Sequence, residues 1–90
     1  MTERQREDGM VYDEEMEEML NKINENVRDY LWEKLNLSNN SQQTEGNLIG
    51  FERTVYNKML NGRCNFTLRH LCLISRHYNI SVPDLISRTD

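Results

Sequence analysis

The sequence predicts a small all-α domain of five helices with an acidic helical extension on its N-terminal side. Three observations predict it. Apolar residues recur at intervals of three and four from Asp13 onward, no stretch carries a strand signal, and Asn, Ser, Thr and Gly separate the periodic stretches. Ninety residues with 37% apolar and 29% charged composition make one domain. A domain of this size buries only about 60% of its unfolded surface, which leaves little room for a deep catalytic cavity. The expectation is a binding module, not an enzyme.

Residues 1–12 are polar, with Gly9 as a breaker and no periodicity that packs, and are expected to be disordered. From Asp13, the stripe Met16, Leu20, Ile23, Val27, Tyr30 or Leu31, and Leu35 marks an amphipathic helix. Asp13, Glu14 and Glu15 fall in its first turn, where carboxylates suit the positive end of the helix dipole. Either this helix runs unbroken to about Asn36, or it breaks at Asn24 and Asn26, poor mid-helix residues that cap well. The break would separate an acidic extension over 13–26 from a domain over 27–90.

Residues 36–47, NLSNNSQQTEGN, hold only Leu37 to bury and are expected to be a loop at least in their first half. Residues 48–62, LIGFERTVYNKMLNG, place Ile49, Phe51, Val55 or Tyr56, Met59 and Leu60 at helical intervals around Gly50. They stop at Asn61-Gly62, because Gly takes the left-handed conformation after a helix without steric cost. Thr67 is placed to cap a further helix with Leu68, Leu71, Cys72, Ile74, Ser75 and Tyr78 on its inner side, ending near Asn79. Ser81 caps a last short helix through Pro83 and turns Val82, Leu85 and Ile86 inward.

Net charge is −4, unevenly spread. Residues 1–26 hold three Lys/Arg against nine Asp/Glu, whereas residues 27–90 hold eight against six. Local charge steers a polyanion, so the overall acidity does not exclude DNA. No apolar run reaches the roughly 18 residues of a membrane span, and MTERQREDGM has no signal-peptide core. A cytoplasmic protein is expected. Cys64 and Cys72 are then free, buried thiols, and the Asn-x-Ser/Thr sites at Asn36, Asn39, Asn65 and Asn79 are incidental to an Asn-rich composition.

The segment GFERTVYNKMLNGR, residues 50–63, resembles the turn and recognition helix of the Cro/phage-repressor type helix-turn-helix family, usually close to G-hydrophobic-S-x-S-T-I-S-x-I-L-N-G-K/R. NFTLRHLCLISRHYNISVPDLI, residues 65–86, is similar to that family's fourth helix, Asn-hydrophobic-Ser link and fifth helix. The resemblance covers about residues 27–87 and implies a lambda-repressor-like fold. Gly50 matches the sharp turn between helices and Gly46 the small residue where the second and third helices approach, with Ile49, Phe51, Tyr56 and Met59 at inward positions. Two features depart from the pattern. Asn39-Asn40-Ser41 lengthens the loop before the second helix, and Glu45 stands where a large apolar residue is usual, so that helix is expected to be short or shifted in register.

The resemblance implies a sequence-specific transcriptional regulator of double-stranded DNA, a repressor acting as a homodimer and needing no cofactor, with helix 52–61 in the major groove. Glu52, Arg53, Thr54, Asn57 and Lys58 would face outward. Arg53 can pair with guanine, Asn57 with adenine, and Thr54 can address thymine or phosphate, while Glu52 caps the helix or accepts from cytosine. Gln42 and Gln43 fall where the family touches phosphate and base edges. Lys58, Asn61 and Arg63, with Gln43, suit backbone contacts.

Blander readings apply to the remaining polar residues. Cys64, His70, Cys72 and His77 lack the Cys-x2-4-Cys pairing of zinc modules, so Cys72 is expected in the core and both His at the surface or rim, with no metal bound. No arrangement for nucleophilic or paired-carboxylate catalysis can be placed. Met16, Met19, Leu20 and Ile23 lie outside the resemblance; their stripe folds back on the domain or pairs with a second copy, and Tyr30, Trp32 and Tyr78 are available to cover either interface. An alternative function uses the same scaffold as a protein-interaction module, antitoxin-like or DNA-mimicking, through residues 13–26.

Overall fold

The computed structural model describes residues 13–87, and among these the fold is all-helical, with five helices and no strand. In chain order they are α1 (Glu14–Ser38), α2 (Gln42–Ile49), α3 (Arg53–Leu60), α4 (Leu68–Tyr78) and α5 (Val82–Ile86). The expected disorder of residues 1–12 lies outside the described residues.

Helix α1 starts where Asp13 accepts a hydrogen bond from the Met16 amide, and it runs for 25 residues without a break. The two asparagines that threatened to interrupt it are used at long range instead. Asn24 Nδ2 donates to Asn65 Oδ1 at 2.7 Å, and Asn24 Oδ1 accepts from the Phe66 amide at 3.3 Å. Asn26 Nδ2 donates to the Ile86 carbonyl at 3.0 Å. An Asn engaged in this way no longer competes with its own backbone, so the helix continues. It ends at Asn39, in the left-handed conformation with φ 62°. The connection to α2 is therefore only residues 39–41, and Leu37, expected to be buried from the loop, is instead an exposed residue of α1.

Ser41 caps α2, its hydroxyl accepting from the Thr44 amide at 3.1 Å, and the helix is regular over eight residues. The Gly46 carbonyl then accepts from the amides of both Gly50 and Phe51, closing a turn in which Gly50 adopts φ 118°. Few residues other than Gly tolerate that conformation. On the other side of the turn α3 crosses so closely that a Cβ on Gly46 would lie 2.9 Å from the Tyr56 ring. Helix α4 has a reciprocal cap, with Thr67 Oγ1 accepting from the His70 amide and His70 Nδ1 from the Thr67 amide. Ser81 caps α5 with Pro83 in its first turn.

The core takes Val27, Tyr30, Leu31 and Leu35 from α1, Ile49 from α2, Tyr56, Met59 and Leu60 from α3, Leu71 and Ile74 from α4, Leu85 from α5, and Phe51 from the turn. Every helix contributes, and burying a side chain of this kind contributes roughly 1.5 to 3 kcal/mol. Two inward assignments are corrected. Cys72 is exposed and Leu68 is 72% exposed, because α4 turns only a narrow stripe inward, centred on Leu71 and Ile74 with Ser75 and Tyr78 at its edge. Cys64 is half-buried. Tyr30 and Tyr78 meet edge to face at 5.7 Å, and Trp32 donates its indole N–H to the Leu60 carbonyl at 2.8 Å. All three thus pack within the domain. On the N-terminal half of α1, Ile23 packs on the core, Met16 and Leu20 are half-buried, and Met19 is 65% exposed.

Candidate nucleic-acid interface

Helix α3 has two unlike sides. Tyr56, Met59 and Leu60 are buried, and Trp32 holds its C-terminal carbonyl end against α1. Arg53, Thr54, Asn57 and Lys58 are exposed, as is Asn61 just after it, on one face by helical spacing. Glu52 takes the N-cap position, yet its side chain makes no capping hydrogen bond, so the carboxylate stands in solvent at the head of that face. Gln42 and Gln43 are exposed in the first turn of α2.

The structure brings part of this set together. Asn57 Nδ2 donates to Gln42 Oε1 at 3.4 Å, and Asn61 Nδ2 to Asn57 Oδ1 at 3.1 Å. These exposed amides form a row linking the start of α2 to the end of α3, and each keeps donors and acceptors for a ligand. Arg63 lies beyond the row in the α3–α4 loop, where Gly62 has φ 70°. The exposed charges from α2 to that loop are Arg53, Lys58 and Arg63 against Glu52, a locally cationic surface on an acidic chain. A hydrogen-bonding face with this charge suits a polyanion that also presents base edges.

The face is held in place by Gly46 against Tyr56, and by a carboxylate that the sequence suggested was out of place. Glu45 is only 3% exposed. Asn40 Nδ2 donates to its Oε1 at 2.9 Å, and the Tyr78 hydroxyl donates to its Oε2. Burial pushes the Glu45 pKa upward, but hydrogen bonds from Tyr78, Asn40 and Ser38 and the nearby His77 outweigh it and leave it below the usual value. Burial, the hydrogen bond to Glu45 and its charge raise the Tyr78 pKa. Lys34 Nζ lies 5.3 Å from the Tyr30 ring centre and 5.9 Å from that of Tyr78. Helices α1, α2 and α4 are thus tied by one polar cluster. Tyr56, beside it, buries its hydroxyl without a hydrogen-bond partner; burial first, then the Glu45 charge, push its pKa up to about 12.

Among the described residues no group of three or more His, Cys, Asp or Glu is placed to hold a metal ion. His70 caps α4 and stands edge-on to Phe51, its pKa lowered by burial; His77 is exposed. No helix among the described residues is long and apolar enough to cross a membrane. One residue that spacing did not single out is Arg28, half-buried on α1. Its guanidinium reaches the α3–α4 loop, where a Cβ on Gly62 would lie 2.5 Å from Arg28 Nη1.

No family model, curated protein or solved structure matches the chain.

Proposed function

We propose that the chain is a sequence-specific double-stranded DNA-binding protein of the Cro/phage-repressor type, with α3 as the element that enters the major groove. The observation that carries the reading is the outward face of α3. It presents Arg53, Thr54, Asn57 and Lys58, joined through Asn57 to Gln42 on α2, while the close approach of α2 and α3 at Gly46 fixes its attitude. An α-helix fits the major groove, where each base pair shows a distinct donor and acceptor pattern.

In this reading Arg53 pairs with guanine O6 and N7, Asn57 with adenine N6 and N7, and the Thr54 methyl packs on thymine. Glu52, uncommitted to capping, accepts from a cytosine amino group. Lys58, Asn61, Arg63 and Gln43 meet phosphates and carry the salt dependence. A homodimer reading two half-sites and repressing transcription in the cytoplasm is the biological form this activity would take.

The test is selection of bound sites from random duplex DNA at two salt concentrations. Enrichment of a palindrome, with affinity falling steeply in salt, supports the reading. Arg53→Ala should then relax preference at one base pair by about 1 to 3 kcal/mol, and Lys58→Ala should weaken all duplexes alike. Absence of enrichment, with only weak low-salt binding, overturns it. The second reading, a protein-interaction module, draws on the exposed carboxylates Asp13, Glu14, Glu15, Glu18 and Glu25 beside exposed Met19 on α1. It requires that deleting residues 1–25 abolish partner capture.

A further inference from the structure

Between α1 and the α3–α4 loop lies a cleft of about 450 Å³, on which Arg28 and Arg63 both border. That volume is within the range of small-molecule sites, commonly some 300 to 1,000 Å³. Among the described residues neither guanidinium has a hydrogen bond or ion-pair partner, although Arg28 is half-buried and held against Gly62. A cation kept partly desolvated and unpaired at the mouth of a cleft is suited to an anion, and guanidinium pairs with phosphate in a two-pronged geometry.

The rest of the lining is not that of a bare phosphate site. The half-buried Phe66 supplies apolar surface, Glu25 an exposed carboxylate and Asn21 an exposed amide, while the Met59 side chain behind them is fully buried. An aromatic ring accepts the flat face of a heterocycle, and a carboxylate accepts from vicinal sugar hydroxyls as it repels a second anion. The loop wall is fixed by the bonds from Asn24 to Asn65 and to the Phe66 amide. We propose that this cleft binds a ribonucleoside monophosphate, with its phosphate on Arg28 and Arg63, its ribose at Glu25 and its base on Phe66. This goes beyond the duplex reading and is measured without DNA.

The chain carries its own reporter pair for the test. Cys64 lines the cleft and is half-buried, whereas Cys72 is exposed and lies outside its lining. Alkylation of each thiol by iodoacetamide would be followed by peptide mass spectrometry, with calorimetric titration in parallel. The probes are adenosine, cytidine, guanosine and uridine 5′-monophosphates, the unphosphorylated nucleosides and inorganic phosphate. Saturable protection of Cys64 but not Cys72 by at least one monophosphate, with its nucleoside and inorganic phosphate binding more weakly by about tenfold or more, is expected. Arg28→Gln and Arg63→Gln should each weaken that binding by about tenfold, and the exposed Arg63 variant keeps the test valid if the half-buried one is poorly folded. Three outcomes would overturn the proposal: no monophosphate protecting Cys64 up to about 10 mM, inorganic phosphate binding as tightly as the nucleotides, or binding undiminished in Arg63→Gln.

Discussion

At the scale of single residues, the two tyrosines beside Glu45, Tyr56 buried and Tyr78 half-buried, make opposite demands. Tyr78 gives its hydroxyl proton to the carboxylate, while the Tyr56 hydroxyl, on a residue 1% exposed, has no partner. An unpaired buried hydroxyl opposes folding, and deleting a bonded one strands its acceptor. Tyr56→Phe should therefore leave the melting temperature unchanged or raise it, whereas Tyr78→Phe should destabilise by about 1 to 3 kcal/mol, both read by thermal denaturation. A lower melting temperature for Tyr56→Phe than for Tyr78→Phe would contradict this account. Glu45 also sets a pH dependence. Its folded pKa is below its unfolded one, so its contribution is present above about pH 4.5 and is lost as pH falls through the folded value. Between pH 6 and pH 3 the wild-type protein should lose more stability than Glu45→Gln, measured by urea denaturation. At the alkaline end the sign reverses: Tyr56, raised to about 12, stays protonated in the fold while the unfolded chain ionises, so stability falls as pH climbs past 10 toward that value.

At the scale of elements, the α2–α3 pair depends on how near the helices come. Gly46→Ala gains helix propensity, yet its methyl would enter the Tyr56 ring. Because Tyr56 is buried and cannot swing into solvent, the crowding should dominate, costing about 1 to 3 kcal/mol in chemical denaturation. A neutral or stabilising Gly46→Ala would show that the pair can open. The caps at Thr67 and Ser81 and the stop at Gly62 were legible in the sequence, because each depends on residues within one turn of it, whereas the small residue at this crossing was marked only by the resemblance, since what crowds it is Tyr56 on the next helix. What was not legible depends on distant partners. The continuity of α1 turned on Asn24 and Asn26 finding Asn65, Phe66 and Ile86, and Glu45 looked misplaced because its partner Tyr78 is 33 residues away. Cys72 was misplaced for a different reason, since periodicity marks a stripe without giving its width. For the candidate interface, spacing identified the residues that face outward on α3; the link from Asn57 to Gln42 and the reach of Arg28 to Gly62 needed the tertiary fold.

At the scale of the whole molecule, stability should be graded along α1. Val27, Tyr30, Leu31 and Leu35 are buried, but in the preceding turns only Ile23 packs on the core while Met19 is largely exposed. Local opening is easiest where few apolar contacts must break. Amides of residues 18–22 should exchange with deuterium at least about tenfold faster than those of residues 27–35 in dilute protein. Equal protection at every concentration would contradict the gradient. Protection that rises with protein concentration would show that a second copy covers the exposed methionine.

The tie between Asn26 and Ile86 has a consequence during synthesis. Sixty residues separate the two, and Leu85, fully enclosed, is supplied by the last described helix. A nascent chain that has emerged only as far as α4 already carries the whole α3 face but lacks this enclosing side chain, so its core stays open. The ability to hold that face rigid arrives late in translation, and a message truncated before the codon for Leu85 should yield a polypeptide that cellular proteases clear rather than a weakened binder.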